Sequence, residues 1–272
     1  MIASCSLEVA DLPHQAGGSK EQPLAAPLFT IITACRNSSA TIDDCLASVA
    51  AQNIDGVEHV VVDRHSRDDT IERLHAHRHR LSIVYGSAND TRFQAWNRGI
   101  GHASGDILGF VDGTDALANP HVLRRVAAAF QDPEISAVYG DVLCVDARDI
   151  DHVMMHHYVG PVSRKRLSRG WVPPTTALFV RKPWYLRIDG FSPNMKSAAD
   201  YEALLRLFSY PFFKVAYLGV PVVKQRLTAP SIRQLRGIFG SPGEELLALR
   251  STRVGGWQAL AWRSLARIGH WL

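Results

Sequence analysis

Acidic residues follow apolar runs at two places in this 272-residue chain. Asp112 and Asp115 come directly after the run at residues 107–111, and Asp63 closes the run at residues 57–62. Carboxylates at the end of a buried strand can hold a divalent cation, which in turn can bridge the phosphates of a diphosphate. The pair around Gly113 could instead form only a polar turn, because Asp–Gly pairs often mark turns.

The surrounding pattern predicts where these carboxylates lie. Apolar, β-branched runs alternate with amphipathic helical stretches in the first half of the chain, and the predicted strands cover residues 29–32, 57–62, 81–85 and 107–111. This order implies a doubly wound α/β sheet with parallel strands. Ligands of such sheets bind beyond the carboxyl ends of the strands. Thr33, Asp63 and Asp112 all fall at that edge.

Composition places the chain among globular proteins. It is 46% hydrophobic and 21% charged, which excludes fibrous and disordered classes. No apolar run reaches the ~18 residues that a membrane-spanning helix needs. The four cysteines form no C-x-x-C pair, which argues against a zinc site and favours a reducing compartment. Residues 1–27 lack the basic start of a signal peptide, so we expect a disordered tail.

Glycine-based phosphate sites are absent from the sequence. The run Gly99-x-Gly101-x-x-x-Gly105 has one residue too many for a dinucleotide fingerprint and lies after a predicted helix instead of before one. No G-x-x-x-x-G-K-[ST] loop is present. A diphosphate site in this chain would therefore depend on carboxylates and a metal ion.

Several segments resemble the family 2 glycosyltransferases of GT-A fold, in the same order along the chain. FTIITACRN is similar to that family's first strand and its T-x-x-x-N turn, and VVVDRHSRDDT keeps the spacing V-D-x-x-S-x-D-x-T. NDTRFQAWNRGIGHASGDILGFVDGTD resembles the stretch that leads into the family's metal motif. WVPPTTALFVRKPWYLRIDGF and SAADYEALLRL resemble its acceptor half. The resemblance covers residues 28–231, approximately.

The resemblance implies one α/β domain of GT-A fold, with a doubly wound mixed sheet, over residues 28–228. Its donor half would be residues 28–118 and its acceptor half residues 119–228. The implied reaction is inverting transfer of a single sugar from a nucleotide-diphosphate sugar, most often a UDP-sugar. The implied acceptor is a saccharide or lipid-linked saccharide of bacterial polysaccharide biosynthesis, and the implied cofactor is Mg²⁺ or Mn²⁺. No nucleic-acid partner is expected.

The resemblance also carries roles to single residues. Asp200 is the predicted general base, because an acceptor hydroxyl needs a carboxylate to take its proton as it attacks. Asp112 and Asp115 are the predicted ligands of the metal ion. The bound metal ion would offset the negative charge of the leaving diphosphate. The predicted donor-binding residues are Thr33, Asn37, Asp63, Asp90, Asn97 and Arg226. Arg206 is predicted to be a structural ion-pair partner within its own helix.

Two positions depart from the family pattern. Thr114 stands where the metal motif commonly supplies a carboxylate, and a hydroxyl is a weaker ligand for a hard cation. Gln94 stands where close relatives often carry Asp. Both substitutions favour an alternative, a non-catalytic relative that keeps the fold as a binding or scaffold module. A sugar nucleotidyltransferase is a further alternative, but it would need a glycine-rich loop where this chain has ACRNSS.

The C-terminal segment, residues 229–272, is basic and is predicted to be helical. At 100° per residue its last part places Trp257, Leu265 and Trp271 on one face and Arg263 and Arg267 on the other. Such a helix fits a membrane–water interface, and it equally fits packing on the protein's own core. We therefore expect a cytoplasmic protein with either a peripheral contact at the inner membrane face or a docked C-terminal helix.

Overall fold

Four parallel strands form the half of the sheet that carries the predicted donor site. They are β1 (Phe29–Cys35), β2 (Val57–Asp63), β3 (Ser82–Tyr85) and β4 (Ile107–Asp112), in the spatial order β3-β2-β1-β4. The helices between them are α1 (Ile42–Ala50), α2 (Thr70–Ala76) and α3 (Arg92–His102). This half confirms the predicted alternation of strands and helices.

The structure is a computed structural model that describes residues 29–227 and 242–252. The predicted tail at residues 1–27 and the tryptophan-bearing face after residue 252 lie outside the described residues.

The second half of the sheet is mixed. β4 pairs antiparallel with β8, β8 pairs antiparallel with β6, and β6 pairs parallel with β9. The strands of this half are β5 (Ala116–Leu117), β6 (Ile135–Asp146), β7 (Val153–His157), β8 (Leu178–Arg181) and β9 (Lys214–Leu227). Its helices are α4 (Val122–Ala129), α5 (Arg164–Ser168), α6 (Lys182–Arg187), α7 (Ala199–Ser209) and α8 (Pro242–Ser251). The last of these strands, β9, is 14 residues long.

Strand register brings the predicted acidic residues to one edge. Cys35, the last residue of β1, lies opposite Asp63 of β2, and Ala34 lies opposite Asp112 of β4. Because all three strands run in the same direction, both aspartates flank the carboxyl end of the central strand β1.

Close packing holds the α3 helix and the turn after β4 in place. A Cβ atom at Gly99 would lie 2.3 Å from Cγ2 of Ile32, so only glycine lets α3 approach β1 this closely. A Cβ atom at Gly113 would lie 2.7 Å from Cβ of Cys35. The glycine of the D-G-T-D turn is therefore required by packing against β1.

An aromatic cluster lies beneath the edge that carries the acidic residues. The rings of Trp96, Phe110 and Phe191 lie with their centroids 4.9 to 5.4 Å apart. Tyr185 packs edge-on against Phe110 at 5.2 Å. Through this cluster, α3, β4, α6 and the loop before α7 pack against one another.

Candidate active site

The D-G-T-D turn places one carboxylate at the surface and one in the interior. The Asp112 side chain is 17% exposed, whereas Asp115 is 2% exposed. The amide of Gly113 donates to the Ala34 carbonyl at 3.0 Å, and the Thr41 hydroxyl donates to the Gly113 carbonyl at 2.9 Å. The turn is therefore fastened to β1 and to the start of α1.

Asp115 is an electrostatically unfavourable site for a negative charge. Burial and the neighbouring charge of Asp112 raise its pKa to about 7, although hydrogen bonds from the Thr114 hydroxyl and the Arg226 amide act in the other direction. Thr114 donates to Oδ1 of Asp115 at 3.0 Å. In this structure Thr114 therefore supports the buried carboxylate of Asp115.

Asp112 and Asp115 are the carboxylates that we predicted to hold a divalent cation together with a diphosphate. Mg²⁺ is commonly held by one or two carboxylates together with substrate phosphates, not by a complete protein cage. Within residues 29–227 and 242–252, no group of three or more His, Cys, Asp or Glu side chains is arranged to hold an ion unaided. Asp112 and Asp115 would therefore supply the protein's ligands, and the donor would supply others. A bound cation would also relieve the repulsion between these two residues.

Asp200 lies in the first turn of α7, and its side chain is 28% exposed. Its Oδ1 accepts a hydrogen bond from the amide of Tyr201 at 2.7 Å. The start of a helix favours negative charge because its free amides point outward. Asp200 therefore lies where the helix dipole favours a negative charge.

Helix α8 fixes the loop that leads into α7. The Glu244 carboxylate accepts hydrogen bonds from the amides of Lys196, Ser197 and Ala198 at 3.2, 2.9 and 3.0 Å. Burial disfavours the charged form of Glu244, but these three donors outweigh it and keep its pKa below the ordinary value. Helix α8, which is part of the predicted C-terminal segment, therefore contacts the loop that precedes Asp200.

Arg92 connects the predicted metal ligand to the predicted base. Its Nη1 donates to Oδ2 of Asp112 at 2.7 Å, and its Nη2 lies 3.7 Å from Oδ2 of Asp200. The guanidinium carbon lies 4.9 Å from the centre of the Phe93 ring and 5.0 Å from that of Trp96. Arg92 was not among the predicted site residues. Its only local signal is its place as the first residue of α3, directly after the N-cap Thr91.

The V-D-x-x-S-x-D-x-T motif holds the loop after β1. Asp63 is fully buried and accepts hydrogen bonds from the amide and hydroxyl of Ser66. The Ser66 hydroxyl in turn accepts from the amide of Asn37, and Oδ1 of Asn37 accepts from the amide of Arg67. Asp68 accepts from the amide of Ser39. Asp63 and Asn37 therefore lie together at the predicted edge, but both oxygens of the buried Asp63 carboxylate are bonded within the fold.

Two predicted donor contacts have structural partners instead. The Thr33 side chain is fully buried, and its hydroxyl lies 2.9 Å from Nε2 of His59. The side-chain amide of Asn97 donates to the Phe191 carbonyl at 2.7 Å and accepts from the Phe191 amide at 2.9 Å. The polar atoms of Thr33 and Asn97 therefore form hydrogen bonds within the fold.

Arg226 and Asp90 also have partners within the protein. Arg226 donates to the Thr114 carbonyl at 2.7 Å and forms an ion pair with Asp44 of α1. Through the Thr114 carbonyl, the Arg226 side chain stabilises the D-G-T-D turn. Asp90 pairs with Nε of Arg98 at 2.8 Å. Burial opposes ionisation of Asp90, but the bonds from Arg98 and from the Ser87 amide keep its pKa below the ordinary value.

Arg206 has the structural role that its helix position predicted. Its guanidinium pairs with Glu202, one turn earlier in α7, through two contacts of 2.7 Å. The same group donates to the carbonyls of Ile188 and Gly190. The prediction of a structural ion pair is confirmed.

The mixed α/β fold agrees with comparisons to known proteins. The model of the family "Glycosyl transferase family 2" matches residues 30–191, more than half of the chain. The chain belongs to glycosyltransferase family 2. A PGL/p-HBAD biosynthesis glycosyltransferase of Mycobacterium bovis is 29% identical over 210 residues, which cover 73% of this chain and 77% of that protein. The O-antigen biosynthesis protein RfbC of Myxococcus xanthus is 28% identical over 66% of this chain but only 14% of its own length.

Solved structures of other glycosyltransferases share the GT-A fold of this family 2 member. TarS of S. aureus in complex with UDP superposes with a TM-score of 0.63 at 19% identity, over 83% of this chain and 65% of that one. The mannosyltransferase PcManGT of Pyrobaculum calidifontis, in complex with GDP-Man and Mn²⁺, gives 0.61 at 16% identity, over 97% and 76%. This chain therefore spans slightly less than two thirds of the TarS chain. In the part of the glycosyltransferase that the structure describes, no helix has the length and apolarity to cross a bilayer.

The Gln94 departure from the family pattern has a local explanation. The side-chain oxygen of Gln94 accepts a hydrogen bond from the backbone amide of Thr91 at 2.7 Å. The backbone amide of Gln94 donates to the Thr91 hydroxyl at 3.2 Å. This reciprocal pair is a capping box, which stabilises the start of a helix. In this glycosyltransferase Gln94 therefore fixes the point at which α3 begins and so the position of Arg92.

Proposed function

We propose that the protein transfers one sugar, with inversion, from a nucleotide-diphosphate sugar to a saccharide or lipid-linked saccharide acceptor. A UDP-sugar is the favoured donor. Asp200 is the general base, and Asp112 and Asp115 hold a Mg²⁺ or Mn²⁺ ion on the donor's diphosphate. Asp63 and Asn37 lie at the edge where the nucleoside would bind.

The observation that carries this proposal is the position of Asp200 relative to Asp112. Asp112 ends strand β4 and Asp200 lies in helix α7, yet one guanidinium reaches both, at 2.7 and 3.7 Å. Inverting transfer needs a proton acceptor on one side of the anomeric carbon and stabilisation of the leaving group on the other. A general base at Asp200 and a metal ion held at Asp112 would meet that need.

The chemistry follows from these positions. The acceptor hydroxyl oxygen forms a bond to the anomeric carbon while the bond from that carbon to the diphosphate oxygen breaks. The hydroxyl proton passes to Asp200, and the electron pair of the broken bond leaves with the nucleoside diphosphate. When bound, the divalent cation supplies positive charge to that leaving group.

Relatives support the donor class. TarS has been solved with UDP-GlcNAc, and the glucosyl-3-phosphoglycerate synthase of Mycobacterium tuberculosis with Mn²⁺ and UDP. The mycobacterial relative is named for PGL/p-HBAD biosynthesis, and RfbC for O-antigen biosynthesis. These names support a saccharide or lipid-linked acceptor.

Calorimetry of UDP, GDP and dTDP with Mn²⁺, and then with excess chelator, tests the donor site. We expect metal-dependent binding of UDP. The chemistry is tested by release of UDP from UDP-sugars, with water or added saccharides as acceptor. The Asp200→Asn variant should lose about 10²- to 10⁴-fold in turnover while UDP binding stays within about twofold. Equal turnover by this variant would remove Asp200 from the mechanism.

A non-catalytic binding module is the second candidate. One observation favours it, because Asp112 is already paired with Arg92. A protein that binds UDP with metal but releases none from any UDP-sugar would support this candidate. A protein that binds none of the three nucleotides would contradict the proposed donor site.

A further inference from the structure

The carboxylate that we assign to the metal ion is paired with a cation of the protein itself. Nη1 of Arg92 lies 2.7 Å from Asp112, and the Arg92 side chain is 38% exposed. A guanidinium stays charged at every physiological pH. A divalent cation and Arg92 therefore compete for the same carboxylate oxygen.

We propose that Arg92 couples metal binding to donor binding. In the cleft without donor it is the counter-ion of Asp112 and keeps the affinity for free metal low. A nucleoside diphosphate offers Arg92 a second anion, so that the metal ion gains Asp112 when the donor arrives. This inference rests on the proposed function, because it requires a diphosphate donor and a metal ion at Asp112.

The surroundings of Arg92 show why it needs another anion in order to leave Asp112. Asp200, the nearest alternative, is 3.7 Å away and pairs only through Nη2. Arg64 interacts electrostatically with Asp112, Arg36 and Arg92. Burial lowers the pKa of Arg64, and the like charges of Arg36 and Arg92 lower it further. The negative charge of Asp112 raises this pKa. Three guanidinium groups near one cleft repel one another, and a diphosphate would relieve that repulsion.

The same surroundings let the guanidinium move without disturbing the fold. Its backbone is fixed by the Thr91–Gln94 capping box. Its planar group lies over the Phe93 and Trp96 rings, which are buried. Stacking on aromatic rings is tolerant of in-plane shifts, so the side chain can turn from Asp112 toward the cleft while it keeps this contact.

Mn²⁺ titrations of the full chain test the coupling, by calorimetry or by the EPR signal of free Mn²⁺, without nucleotide and with saturating UDP. For wild type we expect UDP to tighten Mn²⁺ binding by more than about tenfold. Arg92→Met should bind Mn²⁺ alone about five- to tenfold more tightly than wild type, because the competing cation is gone. The gain from UDP should shrink by a similar factor in this variant.

Two further variants serve as controls. Arg92→Lys keeps a positive charge beside Asp112, so its affinity for Mn²⁺ alone should stay close to wild type. Arg73→Met removes an arginine that pairs with Asp43 at an exposed position, and it should change neither affinity. Thermal melting of each variant checks that the fold is intact.

The outcomes separate this inference from the function on which it rests. If Arg92→Met binds Mn²⁺ alone as weakly as wild type or more weakly, Arg92 has only a structural role and the inference is overturned. If UDP tightens Mn²⁺ binding equally in both proteins, the coupling is overturned while the donor site stands. If no protein binds UDP, GDP or dTDP with metal, both proposals are overturned.

Discussion

Replacement of Asn97 by alanine separates a structural role from a donor contact. The family resemblance predicts that Asn97 touches the donor, whereas in the structure its amide bonds to both backbone groups of Phe191. Phe191 is fully buried and belongs to the aromatic cluster beneath Asp112 and Asp200. We therefore expect Asn97→Ala to lower stability and to leave nucleotide affinity almost unchanged.

The size of the effect follows from the two hydrogen bonds. They measure 2.7 and 2.9 Å, and alanine would leave a buried amide and a buried carbonyl of Phe191 without their partner. Each such group costs about 1–2 kcal/mol, so the free energy of unfolding should fall by about 2–4 kcal/mol. For a chain of this size, each kcal/mol corresponds to a shift in Tm of about 2–4 °C. The expected loss is thus about 4–16 °C.

Thermal denaturation and UDP calorimetry on the same protein samples measure both quantities. Asn97→Asp is the matched variant, since its carboxylate still accepts from the Phe191 amide but cannot donate to the Phe191 carbonyl. Its stability should fall below that of wild type for this reason alone. A normal Tm combined with a tenfold or greater loss of UDP affinity in Asn97→Ala would refute our reasoning and restore the donor contact.

Three other outcomes are expected. Burial lowers the pKa of His59 from 6.5 to about 4. Between these two pH values, His59 is therefore protonated only in the unfolded chain. Stability should therefore be complete above pH 6.5 and fall by up to about 3 kcal/mol toward pH 4. Urea unfolding at several pH values measures this, and His59→Asn should be less acid-sensitive. Glu244→Gln removes the charge that holds the loop before Asp200. Its UDP release should fall about three- to tenfold with little change in UDP affinity, whereas equal losses in both would point to general unfolding. A chain that ends at Ser251 should float with anionic liposomes less than the full chain does, and equal flotation would remove the membrane role of the last residues.

The donor half of the fold was predictable because its signals are local. Its four strands are apolar runs separated by three helices, and the predicted bounds agree within a few residues. The second half was harder to predict. β5 and β8 have two and four residues, too few for a period to appear. β9 contains Gly219 and Pro221, which in sequence suggest a break, but its pairing with β6 shifts register there and continues.

The amino-acid sequence by itself predicted the family, through several motifs in the same order, and placed Asp63 and Asp112 at strand ends. Strand ends and motif positions are local properties, whereas the role predicted for Asp200 came from the family resemblance. Only the tertiary structure decided which polar groups face the cleft. Asn97 pairs with Phe191, and Arg92 reaches Asp112 and Asp200, through contacts between residues far apart in the chain. No period or motif encodes such contacts, since they depend on how α3, β4 and α7 pack together.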